Sequence, residues 1–249
     1  METLELIKNI EKKENVEVLI AVEAGSRAWG FASPDSDYDI RFIYKKELEF
    51  YLRLSNTKDT LDYPVNNFFD LGGWDIKKAC MLLWKSNMPL FEWIWSPIVY
   101  KSNPKFLAEL QDLSHFYFSP AAAFHHYNSM AVKYIELCSV EDIKLKHLFY
   151  ALRAVFATRW IIVNNSFPPV EFLQILNGIP ERENFIDSVN ELMDLKIRTT
   201  EAYVHKLDNH FLQELVALSE LNSGAEKTLK GHGGKVEHLD KFFINIVKS

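Results

Sequence analysis

The sequence lacks the features that mark several protein classes. It has only two cysteines, Cys80 and Cys138, in 249 residues, too few for a disulfide framework, so we expect both to be free, buried thiols. Its start shows no basic-then-apolar signal region, and no apolar run is long enough to span a membrane. Basic residues are also in deficit, with 28 Lys and Arg against 34 Asp and Glu. We therefore expect a cytoplasmic protein without membrane association, whose overall charge does not indicate nucleic-acid binding.

Apolar residues are plentiful enough for a sizeable core. They make up 48% of the chain, and charged residues make up 25%, both ordinary for globular domains. A length of 249 residues allows one large domain or two smaller ones. Short strand-like runs fill the first hundred residues, and helical periodicity fills the rest. We therefore predict an α+β protein with a strand-rich domain over 1–101 and an all-helical domain over 102–249.

The pattern of apolar residues places the individual elements. Strands are predicted over 16–22, 38–44, 59–63, 65–71 and 96–100, with Gly72-Gly73 closing the fourth of them. Helices are predicted over 2–13, 74–86, 90–95, 104–113, 120–137, 143–163, 169–176, 182–195, 199–221 and 236–247. Asn87 is a candidate C-cap for the helix before it.

The stretch 24–42 combines a small-residue turn with two alternating carboxylates. Gly25 lets the backbone approach a ligand closely, and Ser26 suits the cap of a short helix whose first N–H groups could hold a phosphate. Asp37 and Asp39 share one face of a strand, with Cα atoms about 6.6 Å apart. That spacing suits carboxylates that reach toward two Mg²⁺ ions about 3.5–4 Å apart. The stretch therefore predicts a phosphate cradle beside a metal site.

Three other interpretations of this stretch are weaker. An EF-hand loop beginning at Asp35 would need glycine at Ile40 and glutamate at Lys46. The glycine spacing over 25–30 matches a Walker A loop, but the Lys-Ser/Thr pair that should follow is missing. A simple polar turn accounts for residues 33–36. It does not account for two acids that enter an otherwise apolar strand.

Gly-Ser, ten residues and then Asp-x-Asp resembles the signature of the DNA polymerase β nucleotidyltransferase superfamily. The longer match over 24–44, with Asp-x-x-Lys…Leu-Leu-x-Lys-Ser-Asn-x-Pro…Glu-Trp-x-x-Ser-Pro over 75–97, is similar to predicted nucleotidyltransferases of the YcgL/RlaP type. The resemblance implies a polymerase β-like mixed sheet with flanking helices, followed by a helical domain that completes the cleft. It also implies transfer of a nucleoside monophosphate from a nucleoside triphosphate, expected to be ATP, to a hydroxyl with Mg²⁺ or Mn²⁺.

The resemblance further implies a third carboxylate on a neighbouring strand, and it places this group at Asp70. An acid in the apolar run 68–71 would be costly unless it is paired or metal-bound. Its expected role is general base or orienter for the attacking hydroxyl, with a metal contact. Asp62 remains a rival for this position. The expected catalytic and metal-binding residues are thus Asp37, Asp39 and Asp70.

Phosphate-binding residues are expected around the Gly-Ser turn and in the helices. Gly25 and Ser26 would bind the β- and γ-phosphates, with Arg27 assisting. Lys85 could meet a triphosphate or a nucleic-acid backbone, although lysines on an amphipathic helix usually form its wet face. Arg153 is expected to bind the nucleotide because it keeps its charge in an apolar setting. The alternative for Arg153 is an ordinary salt bridge.

The acceptor is the open question at this level. Resemblance to the RlaP type suggests an RNA or tRNA end, while relatives also transfer AMP to proteins. The alternatives are therefore a protein AMP-transferase, or a non-catalytic domain of a toxin–antitoxin pair that binds nucleotides or a partner. The sequence indicates neither the base preference nor the oligomeric state.

Overall fold

The structure, a computed structural model, describes residues 2–55, 57–66, 68–140, 142–180 and 183–249. The helices are α1 (Glu2–Glu14), α2 (Gly25–Trp29), α3 (Leu48–Tyr51), α4 (Ile76–Trp84), α5 (Met88–Ile94), α6 (Pro104–Tyr117), α7 (Pro120–Leu137), α8 (Leu145–Asn164), α9 (Phe172–Asn177), α10 (Glu183–Arg198), α11 (Asn209–Ser223) and α12 (Val236–Lys248). The strands are β1 (Glu17–Glu23), β2 (Tyr38–Lys45), β3 (Thr60–Asn66), β4 (Phe69–Asp75), β5 (Val99–Ser102), β6 (Asp142–Lys144) and β7 (Val204–Lys206).

The chain forms two compact units, and their bounds differ from the predicted division at residue 101. The sheet unit consists of 1–28, 37–117 and 232–249, and the helical unit consists of 29–36 and 118–231. Helices α6 and α12 belong with the sheet because their apolar faces meet there, where Phe106 stacks on Phe242 with ring centroids 5.7 Å apart. Helical periodicity shows that such a face exists, but it does not show which surface the face covers.

Five strands form the mixed sheet of the sheet unit in the order β3-β4-β2-β1-β5. Strands β2 and β4 pair in parallel, and the other pairs are antiparallel. Helix α1 covers one face through Ile7 and Ile10, which pack against Ile40, Phe42 and other core residues. Helices α4 and α6 contact β2 and β1. The nearly continuous burial of β1 follows from this cover.

Two local predictions in this unit are wrong. Gly72-Gly73 does not close a strand but lies inside β4, where a Cβ on Gly73 would come within 2.1 Å of the Phe42 ring. Asn87 caps the start of α5 by accepting a hydrogen bond from the Leu90 N–H at 3.3 Å, and Lys85 ends α4 instead. In both cases the local structure is set by a contact with a residue outside the predicted element, Phe42 for Gly73 and Leu90 for Asn87. Asn67 and Arg182, which fall within predicted elements, lie outside the described residues.

The helical unit is built around α7 and α8, which pack along each other, with α11 against both. Helix α7 has the predicted bounds because Ser119 caps it and Pro120 occupies its first turn. The predicted α+β class is confirmed, and the helical unit also contains a small antiparallel sheet of β6 and β7. Among the helices that the structure describes, none is long and apolar enough to cross a membrane.

Candidate active site

Two carboxylates meet on the sheet because β2 and β4 run parallel and in register. Asp39 on β2 is paired with Asp70 on β4. The next residues, Ile40 and Leu71, are buried in the core beneath α1, so the alternation of side chains turns both acids to the opposite face. The Asp39 and Asp70 side chains are 30% and 36% exposed. Two predicted acids are thus brought together where a ligand can reach them.

Arg41 joins these two acids. It lies on their face of β2, two residues after Asp39. Its Nη2 donates to Asp39 Oδ1 at 3.0 Å and to Asp70 Oδ2 at 2.6 Å, and its Nη1 donates to the Asp70 carbonyl oxygen at 2.9 Å. The guanidinium offsets the repulsion between the carboxylates and orients both. Sequence reasoning missed this residue, although its i, i+2 spacing from Asp39 was a signal for it.

Gly25 begins α2 directly beside the Asp39 carboxylate. Its φ of 62° lies in the left-handed region that favours glycine. A Cβ at this position would lie 2.1 Å from Asp39 Oδ2. The main chain maintains this proximity, because the N–H of Ala24 donates to the Asp39 carbonyl oxygen at 2.8 Å. The predicted phosphate cradle of Gly25 and Ser26 is therefore adjacent to one of the two acids.

A further carboxylate, that of Glu23, binds the main chain of Asp39. Sequence reasoning did not find this residue. Glu23 is completely buried at the end of β1. Its Oε1 accepts a hydrogen bond from the Asp39 N–H at 2.7 Å, and its Oε2 accepts one from the Tyr100 hydroxyl. Burial raises the pKa of Glu23, and the two hydrogen bonds oppose that shift. Glu23 thus holds the backbone of Asp39 in place.

Tyr100→Phe should lower the free energy of unfolding by about 1–3 kcal/mol, because a buried carboxylate oxygen loses its donor. The folded pKa of Glu23 is raised above its unfolded value, so the cost of burying the charged form grows as pH rises through the folded pKa. The deficit of the variant should therefore be larger at pH 7.5 than at pH 4.5 in urea unfolding. Tyr63→Phe is the matched control, since Tyr63 donates to the partly exposed Glu14. Equal losses in both variants would contradict this role of Glu23.

Asp37 and Arg27 lie at the entrance to β2. Asp37 is exposed and precedes the first residue of the strand. Arg27 Nε donates to the Asp37 carbonyl oxygen at 3.1 Å, and its guanidinium lies 3.8 Å from the centroid of the Tyr38 ring. Arg27 therefore ties α2 to the start of β2. The metal-binding role of Asp37 and the phosphate-binding role of Arg27 stay predictions.

The donor set at this point of the sheet is suited to a hard cation. Within the described ranges, no cluster of three or more His, Cys, Asp or Glu side chains is arranged to hold a metal ion, so the predicted set of three acids is assembled only as the pair Asp39 and Asp70. Mg²⁺ in proteins is commonly held by one or two carboxylates together with substrate phosphates. The pair fits that requirement, and the Asp39 carboxylate packs directly against the backbone of Gly25, where a Cβ would overlap it.

The geometry favours Asp70 over its rival Asp62. Asp62 pairs with Gly72 on the edge strand β3, two residues along β4 from Asp70. Its side chain is 68% exposed and lies 3.5 Å from the Lys58 ammonium. An exposed ion pair on an edge strand is a surface feature of small energetic consequence.

The two remaining predicted nucleotide-binding residues, Lys85 and Arg153, differ in exposure. Lys85 is exposed at the end of α4 and lines a cavity that none of the predicted acids lines. Arg153 is only 2% exposed inside the helical unit. Its guanidinium lies 4.6 Å from the Trp29 ring centroid and donates to the Val170 carbonyl oxygen at 3.3 Å. The Tyr127 ring lies on the same guanidinium, 5.7 Å from it. The nucleotide-binding role of Arg153 stays a prediction.

The loop that leads to Asp37 is fastened within the helical unit by Glu201. Its Oε1 accepts a hydrogen bond from the Ser36 hydroxyl at 2.8 Å, and its Oε2 accepts one from Lys146 Nζ at 2.7 Å. The N–H of Glu201 donates to Asp35 Oδ1 at 2.8 Å. Burial opposes ionisation, but the two side-chain donors outweigh it and lower the pKa of Glu201.

Glu201→Gln should remove part of the acid sensitivity of the fold. A carboxylate whose folded pKa is lowered stabilises the protein above its unfolded pKa, about 4.5, and loses this contribution as pH falls through the folded pKa. The variant should lose about 1 kcal/mol at pH 7 and less at pH 3.5. Urea unfolding at both pH values measures this, with Glu136→Gln on the exposed face of α7 as the control. A pH-independent loss would exclude the ion pair as its cause.

The chain is similar to known proteins over most of its length. A family model described as RlaP, RNA repair pathway DNA polymerase beta family, matches residues 2–245. The chain is 35% identical over 244 residues to "Uncharacterized protein YcgL" of Bacillus subtilis strain 168, and the match covers 97% of this chain and 94% of that protein. A solved nucleotidyltransferase-like protein from Exiguobacterium sibiricum 255-15 aligns with 10% identity and a TM-score of 0.31, over 89% of this chain and 73% of that chain.

Proposed function

Because the chain belongs to the RNA repair pathway DNA polymerase beta family, we propose that it is a Mg²⁺-dependent nucleotidyltransferase. It moves a nucleoside monophosphate from a nucleoside triphosphate, ATP by preference, to a hydroxyl at the end of an RNA. The family supports nucleotidyl transfer as the reaction class. The single observation that carries the proposal is the in-register pair Asp39 and Asp70 beside the left-handed Gly25.

Each residue of this site has a role in the transfer reaction. The acceptor oxygen forms a bond to the α-phosphorus, the bond from that phosphorus to the bridging oxygen breaks, and pyrophosphate leaves. Gly25 and Ser26 hold the β- and γ-phosphates through the backbone at the start of α2. Asp70 orients the attacking hydroxyl and accepts its proton. Arg41 keeps both carboxylates in position, as it does in the structure.

Asp39 and Asp70 would hold the metal ion, with Asp37 as an additional ligand. When bound, Mg²⁺ or Mn²⁺ would neutralise the charge that develops on the leaving and attacking oxygens. Carboxylates and phosphate oxygens are the ligands that such hard cations prefer. Positioning of the reactants provides the rest of the acceleration.

Labelled nucleotides provide the test. The protein is incubated with each α-³²P-labelled nucleoside triphosphate, Mg²⁺ and a tRNA-rich RNA pool, and in parallel with cell extract. We expect the label to enter RNase-sensitive material with release of pyrophosphate, and EDTA to prevent it. Label in protease-sensitive material would mean that the acceptor is a protein and not an RNA. Failure to label any acceptor or to release pyrophosphate would reject the transferase.

A further inference from the structure

A cavity of the sheet unit that the predicted acids do not line has the chemistry of an anion-binding site. It has a volume of about 530 Å³ and lies between α3, the loop that follows α3, and α4. This volume is in the range of small-molecule sites. Neither Asp39 nor Asp70 lines it; of β4 it reaches the last residue, Asp75, five positions from Asp70.

Cations outnumber acids in the lining, although the chain as a whole carries a net charge of −6. The four cations are Arg53, Lys77, Lys78 and Lys85, and the two acids are Asp59 and Asp75. Both acids are already satisfied. Asp59 Oδ1 accepts a hydrogen bond from Lys78 at 3.0 Å, and the Asp75 oxygens accept from the Lys77 N–H at 2.8 Å and the Tyr51 hydroxyl at 2.9 Å.

Three cations of the cavity therefore remain for a ligand. Arg53, Lys77 and Lys85 are exposed, and none of them forms an ion pair within the part of the chain that the structure describes. Lys77, Met81 and Lys85 follow one another at four-residue spacing, so they share a face of α4. Lys77 also lies in the first turn, where the helix dipole disfavours a positive charge. Helix stability does not explain this placement, whereas an anionic ligand does.

An aromatic residue forms another part of the wall. Phe50 is only partly buried and lines the cavity. Lys46 Nζ lies 4.5 Å from the centroid of its ring, and the Arg53 guanidinium lies 5.9 Å from it. These cations lie over the ring, so a nucleobase would stack on Phe50 in place of the more distant Arg53 guanidinium when that group binds phosphate.

We infer that this cavity is a second nucleotide-binding site, in which Lys77, Lys85 and Arg53 bind phosphate and Phe50 stacks on the base. The ligand is either a free nucleotide or the terminal nucleotide of a single strand, because both present the same chemistry. The inference goes beyond the proposed transfer reaction and does not depend on it. Binding here needs no divalent cation, since protein cations neutralise the phosphates.

Binding measurements in EDTA test the inference without the transfer reaction. The probes are ADP, by calorimetry, and a twelve-nucleotide RNA with a 5′ fluorophore, by anisotropy. Lys77→Ala/Lys85→Ala should weaken binding at least about tenfold, because two charge-assisted contacts are lost. Lys8→Ala/Lys105→Ala is the matched control, with the same change of charge at exposed lysines of α1 and α6. Alanine favours helix, so neither double variant should unfold.

Phe50→Leu separates base recognition from charge. It should weaken ADP binding about fivefold or more and leave the binding of inorganic pyrophosphate unchanged. Loss of RNA binding alone in the lysine variant identifies the terminal nucleotide as the ligand, and loss of ADP binding identifies the free nucleotide. The inference would be overturned if neither probe bound to the protein. It would also be overturned if the two double-lysine variants bound the probes with equal affinity.

Discussion

Asp39→Asn and Asp70→Asn should each lower the rate of nucleotidyl transfer about a thousandfold. Both substitutions keep the shape of the side chain and remove one negative charge from the pair. Loss of a metal-binding carboxylate removes several kcal/mol of transition-state stabilisation, and each 1.36 kcal/mol is worth a factor of ten. Incorporation of α-³²P-labelled nucleotide under single-turnover conditions measures the effect.

Asp62→Asn is the control for this experiment. Asp62 has the same chemistry, but its side chain is exposed and lies beside Lys58, so its substitution should change the rate less than about twofold. Urea unfolding of all three variants separates a catalytic defect from a loss of structure. If Asp62→Asn abolished transfer while Asp70→Asn retained it, the third acid would have been assigned to the wrong strand.

Gly25→Ala should lower transfer about a hundredfold and destabilise the fold by about 1–3 kcal/mol. The backbone at φ 62° penalises any side chain by about 1–2 kcal/mol. The methyl group would also lie 2.1 Å from Asp39 Oδ2, so it must displace the carboxylate. A displacement of this kind at a reacting centre commonly costs about two orders of magnitude in rate.

Gly30→Ala separates these two effects. Gly30 also has a positive φ, 87°, but a Cβ there would meet no atom within 4 Å. We expect this variant to show the backbone penalty in thermal or urea unfolding while transfer stays close to the natural rate. Equal losses of activity in both glycine variants would mean that backbone strain, and not the Asp39 carboxylate, is responsible.

Local patterns predicted the elements of the structure well. The strands before and after the Gly-Ser turn and the helix with bounds Pro120–Leu137 match the structure. These features depend on neighbours in the sequence: β-branched runs, cap residues and proline in a first turn. The error at Gly73 arises because the ring of Phe42, a residue distant in the sequence, leaves no space for a side chain. The error at Asn87 arises because this residue caps the helix that follows it.

The candidate site was predictable only in part. The positions of Asp39 and Gly25 followed from the motif, and Asp70 followed from the resemblance to the family. Their convergence depends on the parallel pairing of β2 and β4, which no local pattern specifies. Glu23 was not predicted, because the hydrogen bond that it accepts from the Asp39 N–H joins residues sixteen positions apart. Buried polar partners of this kind are specified by the packing around them.

The sequence alone determined the chemistry available to this protein: a glycine that can adopt a left-handed backbone, two alternating acids at the start of a strand, and family membership over nearly the whole chain. The tertiary structure decided which of those groups meet. It paired Asp39 with Asp70 through Arg41 and buried Arg153 among aromatic rings. The physical reason is that propensity and periodicity act over a few residues, whereas strand pairing and burial join residues that are distant along the chain.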